Sequence, residues 1–303
     1  MTLQQIKYVI AIANTNSMNE AAKNLFVSQP SLSSAIKELE DELQITIFSR
    51  TNKGVVITQE GEEFLIYAKQ ILDQVELLEE KYINHDIKKK FGVSTQHYSF
   101  AVKAFVEMVK DFDMNKYEFA IRETRTNSIL EDVKNGKSEI GILYINDFNE
   151  KVIHKLLKSN ELQFEELIKC KGYVYLWKDH PLAKNKIITM KELEDYPCLA
   201  FEQGENNSFY FAEEILSTYN YPKIIKACDR ATMLNLMVGL NGYTLCSGII
   251  CEELNGSDYR AVPLETEQIM KIGYITRKNS VISNIGKMYI DEIKKYLSKC
   301  INL

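Results

Sequence analysis

The sequence predicts a mainly helical N-terminal unit, a long linking helix and a C-terminal α/β unit made of two lobes. Three short amphipathic helical patterns come first, an apolar heptad follows, and β-rich and helical runs then alternate to the end. A chain of 303 residues with 45% hydrophobic content can bury two or three separate cores. We expect the divisions 1–59, 60–90 and 91–303, the last with one lobe at about 91–161 and 268–303 and the other at about 162–267.

The first two helices follow from apolar spacing and from a cap. The first is predicted from apolar residues at three- and four-residue steps, namely Leu3, Ile6, Ile10 and Ala13. Ser17 then stands three residues before Glu20, which is a capping box in which the hydroxyl and the carboxylate each satisfy a free backbone N–H. The second helix is therefore predicted to begin near Ser17.

A third helix is predicted to start with Ser28 as its cap and Pro30 in its first turn, where the missing N–H removes no helical hydrogen bond. Its apolar stripe is Leu32, Ile36, Leu39 and Leu43. The opposite side carries more polar groups than capping requires: Gln29, Ser33, Ser34 and Lys37. Two helices joined by a short turn, with such a face on the second, are typical of a helix-turn-helix whose second helix enters the major groove of DNA.

The segment TIFSRTNKGVVIT after this helix alternates as two short strands around Asn52-Lys53-Gly54. It predicts a wing that carries Arg50 and Lys53. The candidate DNA-binding residues are Ser28, Gln29, Pro30, Ser31, Ser33, Ser34, Lys37, Arg50 and Lys53. A small helical domain with an incidental polar helix start remains the alternative at this point.

Charge indicates that one copy of this unit binds DNA weakly. The five basic residues up to Thr58 (Lys7, Lys23, Lys37, Arg50, Lys53) are matched by five acidic ones (Glu20, Glu38, Glu40, Asp41, Glu42), and the whole chain carries a net charge of -5. Because neutralised phosphates supply most of the affinity for DNA, a second copy is needed. An a/d heptad provides a dimerisation seam at Phe64, Ala68, Ile71, Val75, Leu78 and Tyr82, unless this helix packs on its own domain. Residues 84–90 are predicted to form a hinge.

Other classes of protein lack support in the sequence. No apolar run is long enough to span a bilayer and the N-terminus has no leader pattern, so we expect a cytoplasmic protein with no membrane contact. The four histidines show no ligand spacing and no P-loop, GxGxxG or GxSxG occurs, so we expect no catalytic residue, no metal and no cofactor. The six cysteines are scattered, which favours buried thiols over a redox switch, although Cys246 and Cys251 are close in sequence.

Beyond Phe91 the alternation FGVS, a helix at about Tyr98 to Phe112, YEFAIRET, SILEDVKNG and SEIGILYIN predicts a parallel-type sheet. It recurs after GYVYLW as CLAFEQ, a helix in FYFAEEILSTY, KIIKACD, a helix in RATMLNLMVGL and GYTLCSGII, which predicts the second lobe. Ligands of such folds bind beyond the carboxyl ends of strands. Three polar loops lie there: Ser94-Thr95-Gln96, residues 124–128 and residues 203–208.

The N-terminal residues resemble the LysR-type transcriptional regulators. The family signature is a serine-led AA-x-x-L, then S-Q-P-x-x-S-x-x-I-x-x-L-E, L-F-x-R and T-x-x-G. It is matched here by Ser17, Ala21-Ala22, Leu25, Ser28-Gln29-Pro30, Ser33, Ile36, Leu39-Glu40, Phe48, Arg50, Thr58 and Gly61. A W-x-x-H-P-L-A stretch of the family's second domain is matched from Trp177 to Ala183. Two departures are Gln44, where the family usually has glycine, and Ser34, where many members carry a longer side chain.

The resemblance implies a winged helix-turn-helix, a linker helix and an effector domain of the two-lobed periplasmic-binding-protein type. The implied effector-binding residues are Ser94, Thr95, Gln96, Thr126, Asn127, Phe201 and Gln203. The implied partners are double-stranded operator DNA, a second copy or three further copies of the chain, and a small-molecule effector, with RNA polymerase as a further candidate. The Thr-Gln after the first strand is similar to regulators of cysteine and methionine metabolism, which implies an effector such as O-acetylserine.

Alternatives remain open at this stage. The chain could regulate a pathway of another amino acid or of an organic acid, or it could sense redox state through a thiol. An enzyme or a solute-binding protein with two lobes is a remote alternative, and the second of these would not need the first 60 residues.

Overall fold

A computed structural model describes residues 1–51, 54–82, 89–112, 116–204 and 208–301 of the chain. The chain divides into two compact units, Met1–Ile87 and Lys88–Leu303. The first unit contains α1 (Leu3–Thr15), α2 (Met18–Asn24), α3 (Gln29–Leu43), β1 (Phe48–Thr51), β2 (Gly54–Ile57) and α4 (Gln59–Tyr82). The strands β1 and β2 pair antiparallel, so the predicted helix-turn-helix and wing are confirmed.

The helix starts follow from their caps. The hydroxyl of Ser17 accepts from the N–H of Glu20, and the hydroxyl of Ser28 accepts from the N–H of Ser31, as the sequence predicts. The other half of the predicted capping box is wrong, because the N–H of Ser17 donates to Thr15 Oγ1 and not to Glu20. The predicted stripe of α1 is wrong in part, because Leu3 is 44% exposed and the buried residues are Ile6, Val9 and Ile12. The run YVIAIA is apolar on several sides, so spacing alone does not determine which side faces the core.

The T-x-x-G motif has a structural cause at the start of α4. Thr58 Oγ1 accepts from the N–H of Gly61 at 2.9 Å and also donates to the carbonyl of Thr46. A Cβ on Gly61 would lie 2.2 Å from the carbonyl oxygen of Ile47, so only glycine fits there. Glu40 Oε1 accepts from the N–H groups of Ile47 and Phe48 at 2.7 and 2.9 Å, which ties the end of α3 to the wing.

The second unit is an α/β domain of two lobes. Its elements are β3 (Lys89–Thr95), α5 (Ser99–Lys110), β4 (Tyr117–Glu123), α6 (Thr126–Lys134), β5 (Ile140–Ile145), α7 (Glu150–Ser159), β6 (Leu162–Lys171), β7 (Tyr173–Trp177), α8 (Met190–Leu193), β8 (Cys198–Phe201), a 3-10 turn (Phe209–Phe211), β9 (Ile224–Ala227), α9 (Arg230–Leu240), β10 (Thr244–Cys246), α10 (Glu252–Asn255), β11 (Tyr259–Pro263), β12 (Ile269–Arg277) and α11 (Asn284–Ile301).

The first lobe contains a five-stranded sheet in the order β4-β3-β5-β12-β6. β3 pairs parallel with β4 and β5, whereas β12 pairs antiparallel with β5 and β6, so the sheet is mixed rather than parallel throughout. The lobe boundary predicted at residue 162 is wrong for the structure, because β6 hydrogen-bonds along β12 and belongs to this sheet. Pairing partners about a hundred residues apart leave no local signal for that assignment.

The second lobe holds the antiparallel sheet β10-β7-β11 and the parallel pair β8-β9, joined by a bridge between Cys198 and Tyr243. The helix predicted in FYFAEEILSTY is wrong: a 3-10 turn at Phe209–Phe211 is followed by irregular chain. Glu213, Glu214 and Ile215 are all buried, so no solvated helix face is available, and Leu216 adopts a left-handed φ of 56°.

Within the described ranges, none of the helices is long and apolar enough to cross a membrane.

Candidate functional site

The N-terminal end of α3 presents a polar face. Leu32, Ile36 and Leu39 are buried at 0–2% exposure and anchor the helix in the core of the first unit. Of the predicted contact residues, Ser28, Pro30, Ser31, Ser34 and Lys37 are exposed, while Gln29 and Ser33 are half-buried. This helix end therefore carries hydroxyl, amide and ammonium groups on one side and the apolar anchor on the other.

Local hydrogen bonds occupy part of this polar face. The hydroxyls of Ser28 and Ser31 lie 2.7 Å apart and complete the cap, and Ser34 Oγ donates to Glu38 Oε1 at 3.3 Å. Arg50 lies in β1 opposite Val55, but its side chain and the whole of Lys53 lie outside the described residues. Lys37 is the exposed cation that the described part of this face offers.

The predicted dimerisation seam on α4 is divided. Leu65, outside the seam, lies in the core of the first unit with the seam residue Phe64 packed against it, so the first turns of α4 pack on their own unit. Ala68 is 1% exposed, and Ile71 and Val75 are half-buried. Leu78 is 58% exposed, which makes the second half of α4 the place where a partner helix is still predicted. The side chain of Tyr82 and most of the predicted hinge lie outside the described residues.

Two residues of the first predicted effector loop are buried inside the first lobe. Ser94 Oγ donates to Asp132 Oδ2 at 2.6 Å and lies 2.8 Å from the hydroxyl of Ser138. Thr95 Oγ1 donates to the carbonyl of Gln96 at 2.8 Å. Both side chains are 0% exposed, so the structure places neither hydroxyl at a ligand-accessible surface.

Three other predicted residues come together in a hydrogen-bond chain that joins the lobes. Gln96 Nε2 donates to Thr126 Oγ1 at 2.7 Å, and the N–H of Thr126 donates to Gln203 Oε1 at 3.1 Å. Gln203 Nε2 then donates to Glu213 Oε1 at 3.1 Å. We call this set, Gln96, Thr126, Gln203 and Glu213, the interlobe chain. Asn127 is half-buried beside it.

His97, which the sequence did not single out, packs across the same junction. Its ring stacks on Phe201 with centroids 3.6 Å apart and planes 4° apart. Its backbone N–H donates to Glu213 Oε2 at 2.9 Å, and its Nδ1 lies 2.8 Å from the same oxygen. The first lobe therefore holds the Glu213 carboxylate of the second lobe just before the start of α5.

A cavity with a volume of about 80 Å³ lies between the lobes next to this junction. Its polar wall is formed by His97, Ser99, Glu213, Glu214, Arg230, Thr244, Ser247 and Asn255. Its apolar wall includes Phe201, Met233, Leu234, Ile249, Ile250 and Met270. Phe201 is the predicted effector residue that lines it. Thr244 Oγ1 is buried with no hydrogen-bond partner among the described residues.

Burial dominates the electrostatics of the cavity. Desolvation, reinforced by the neighbouring Glu213, raises the pKa of Glu214 to about 8. Desolvation also raises the pKa of the Cys246 thiol to about 12. Arg230 forms a two-point ion pair with Glu123 of the first lobe, in which Nε lies 3.3 Å from Oε2. Within the described ranges, no group of three His, Cys, Asp or Glu side chains is arranged to hold a metal ion.

Sequence reasoning missed Glu213, Glu214, Arg230 and Thr244. The two adjacent acids in FYFAEEILSTY resemble the solvated face of a helix, and nothing local indicates that they turn inward. Thr244 begins a short strand in an apolar run, where a hydroxyl is ordinary. No local signal in the sequence distinguishes these four residues from ordinary surface or strand residues.

Known proteins match both units. Residues 3–62 match the family described as bacterial regulatory helix-turn-helix protein, lysR family, and residues 98–298 match the LysR substrate binding domain. The uncharacterised HTH-type transcriptional regulator YvbU of Bacillus subtilis (strain 168) is 26% identical over 281 residues, covering 87% of this chain and 91% of that protein.

Solved structures match the chain along nearly its whole length. A full-length OxyR variant with one substituted cysteine, from Pseudomonas aeruginosa, has a TM-score of 0.67 at 17% identity, covering 97% of this chain and 95% of that one. Full-length CbnR complexed with its target DNA has a TM-score of 0.52 at 17% identity, covering 98% of this chain and 100% of that one. At such identities the likeness shows the fold alone, and it agrees with the two-unit fold class that the sequence predicts.

Proposed function

The chain belongs to the LysR family of DNA-binding transcriptional regulators, and we propose that it reads a dyad-symmetric operator as a homodimer or homotetramer under the control of a small molecule in its interlobe cavity. The members of this family are regulators rather than enzymes. The proposal concerns the residues of this chain that contact DNA and the effector that it binds.

The observation that carries the DNA-binding proposal is the polar end of α3. Leu32, Ile36 and Leu39 fix the helix, and the side that they leave outward bears Gln29 and Lys37 close to the helix N-terminus. An amide can donate to and accept from an adenine edge, whereas an ammonium group neutralises a phosphate regardless of sequence. We therefore assign base readout to Gln29 and phosphate contact to Lys37. CbnR, a fold neighbour, is solved in complex with its target DNA.

Oligomerisation is part of the proposal because the charge of one copy is unfavourable. The N-terminal unit up to Thr58 has no net positive charge, so a single copy gains little from the release of counterions. Two copies double the number of phosphate contacts on one operator. The exposed Leu78 on the second half of α4 supports a partner helix at that point.

For the effector we propose an amino-acid derivative of sulfur metabolism, such as O-acetylserine, and as targets the genes of cysteine and methionine synthesis or transport. One support is the likeness of the Thr95-Gln96 sequence to regulators of sulfur metabolism, although both side chains are buried outside the cavity wall. The other is a cavity wall that combines carboxylates, hydroxyls and apolar side chains. A small zwitterion with a short apolar body matches such a wall.

A thiol-based redox sensor is the second candidate function, but the surroundings of the cysteine thiols disfavour it. Desolvation raises the pKa of both Cys170 and Cys246 to about 12, so both stay protonated at neutral pH. Cys228 is exposed, but its thiol donates to Glu202 at 3.0 Å, and this contact raises its pKa. Because the thiolate is the reactive form, these environments favour inert cysteines over a peroxide sensor.

The experiment that tests the proposal is competitive binding of the purified full-length protein to its own upstream promoter region and to a shuffled DNA of equal composition at moderate salt. A sequence-specific regulator is expected to bind the promoter about a thousandfold or more tightly than the shuffled DNA, because the affinity of such proteins for specific sites exceeds their affinity for random DNA by about 10³ to 10⁷. Equal affinity for the two DNAs would reject the DNA-binding proposal.

A further inference from the structure

We propose that the ligand of the interlobe cavity carries a positively charged nitrogen that is bound by Glu214, next to Glu213, and that it is an amine or amino-acid derivative rather than an organic acid. This inference rests on the proposed function, since it assumes that the cavity takes an effector, and it specifies the chemical class of that effector.

The first support is the charge of the cavity wall. Three formally charged side chains line it, namely Glu213, Glu214 and Arg230. The guanidinium of Arg230 is already held at two points by Glu123, which is not part of the wall. His97 and Gln203 likewise hold both oxygens of Glu213. The acidic group that remains for a ligand is therefore Glu214, beside the negative charge of Glu213. A negatively charged ligand would have to displace Glu123 or lie beside Glu213 and Glu214, which is unfavourable in a desolvated site.

The second support is the surroundings of Glu214. Its Oε1 accepts from the N–H of Phe201 at 2.9 Å, and the titratable groups that face it from the packed elements are Glu213, Tyr98, Tyr144, Cys198 and Tyr221. Burial raises the pKa of the three tyrosines and the cysteine in this set, so they stay neutral at neutral pH, and these groups can never carry a positive charge. The wall thus presents a buried carboxyl group that no described cation neutralises.

The third support is independent of charge. Thr244 is 7% exposed and lines the cavity, yet its hydroxyl has no partner among the described residues. An unsatisfied buried hydroxyl is unfavourable, and a ligand that donates to it or accepts from it removes that penalty. Met233, Leu234 and Met270 cover the remaining wall and suit a short apolar body. The cavity therefore combines a site for a cation, a hydroxyl for a polar atom and an apolar surface.

Three small molecules with the same acetoxy group separate the possibilities in calorimetry with the full-length protein at pH 7. O-acetylserine has both charges, O-acetylethanolamine has only the amine and 3-acetoxypropionate has only the carboxylate. Loss of the amine is expected to weaken binding by about 30-fold or more, because the ion pair between the ammonium group and Glu214 is lost. Loss of the carboxylate is expected to change the affinity only a few-fold. The reverse order, or no heat from either amine at millimolar concentration, would overturn the inference.

Variants test which carboxylate acts. Glu214→Gln keeps an acceptor for the N–H of Phe201 but cannot ionise, so it is expected to weaken the binding of O-acetylethanolamine by about tenfold or more. The matched control is Glu166→Gln, because Glu166 is a surface carboxylate on β6, 3.7 Å from Lys169, and is not part of the cavity wall. Equal affinity of wild type and Glu214→Gln would contradict the assignment.

Proton release gives a second readout that needs no variant. At pH 7 about nine in ten copies of Glu214 are protonated if the pKa is about 8, and an adjacent ammonium favours the ionised form. Binding of O-acetylethanolamine should therefore release about one proton, measured as heats in buffers of different ionisation enthalpy. Proton uptake would contradict the inference.

Measurements of promoter binding distinguish a failure of this inference from a failure of the proposed DNA-binding function. Selective promoter binding by the ligand-free protein, with no binding of either amine, would leave the proposed function standing and overturn this inference. Amine binding without promoter selectivity would support the inference and reject the proposed DNA-binding role.

Discussion

Glu214→Gln should change how the stability of the second unit depends on pH. The pKa of the buried Glu214 is about 8, against 4.5 for an ordinary glutamate. Since one step in pKa corresponds to about 1.4 kcal/mol, ionising this carboxyl costs the folded state up to about 5 kcal/mol. The sign follows from the raised folded-state pKa: the stabilisation is fully present below 4.5 and is lost as the pH rises through 8. Between pH 5 and pH 8 the unfolding free energy of the wild type should fall by about 3.5 kcal/mol because of this group.

The assay is urea unfolding followed by tryptophan fluorescence. The chain has one tryptophan, Trp177 in β7, whose indole N–H donates to Asn241 at 2.8 Å, so the signal reports on the second unit. Desolvation lowers the pKa of His180, which acts in the opposite direction below pH 6.5, so the quantity to compare is the difference between wild type and variant. Glu166→Gln serves as the control. If wild type and Glu214→Gln lose stability in parallel from pH 5 to 8, the buried carboxyl is not protonated as we argue.

Three further predictions concern the first unit. Gln29→Ala should reduce the preference at one base pair of each half-site by about 1–3 kcal/mol. Lys37→Ala should weaken the binding of specific and random DNA alike and lower its salt dependence, as measured by fluorescence anisotropy. Equal losses of affinity for both DNAs with Gln29→Ala would contradict the role of Gln29 in base readout. Gln44 caps α3 with a left-handed φ of 56°, a conformation that glycine adopts without strain. Gln44→Gly should therefore raise the unfolding free energy by about 0.5–1 kcal/mol in thermal unfolding. A decrease would mean that the hydrogen bond from the Gln44 side chain to the Asp41 carbonyl contributes more than the backbone strain costs. Leu78→Glu should shift the protein towards the monomer in sedimentation velocity, and an unchanged mass would exclude this part of α4 from the interface.

The parts of the fold that could be predicted are those with local causes. The hydroxyls of Ser17 and Ser28 each accept a hydrogen bond from the backbone N–H three residues later, so the sequence predicts the starts of α2 and α3. The two strands of the wing are visible for the same reason, because their partners are close in sequence. The family follows from such matches at fixed spacing, and it is confirmed along both units.

The parts that could not be predicted depend on long-range partners. The segment at Glu213 and Glu214 does not form the predicted helix. Glu213 instead accepts a hydrogen bond from His97, 116 residues away in the sequence. Ser94 and Thr95 come at the end of a strand, as ligand-binding loops do, but their hydroxyls bond inside the lobe. The family resemblance predicts that Gln96 and Gln203 bind the effector. In the structure each of them is hydrogen-bonded to Thr126 in the interlobe chain.

Control of DNA binding by the interlobe cavity is tested by the affinity of the full-length protein for its own promoter with and without O-acetylethanolamine, for the wild type and for Glu214→Gln. We predict that the amine changes the promoter affinity of the wild type by about fivefold or more, since coupling between sites is usually about 1–3 kcal/mol, and that it leaves Glu214→Gln unchanged. An identical response of the two proteins, or no response of the wild type at an amine concentration that fills the cavity, would contradict the claim that this cavity controls DNA binding.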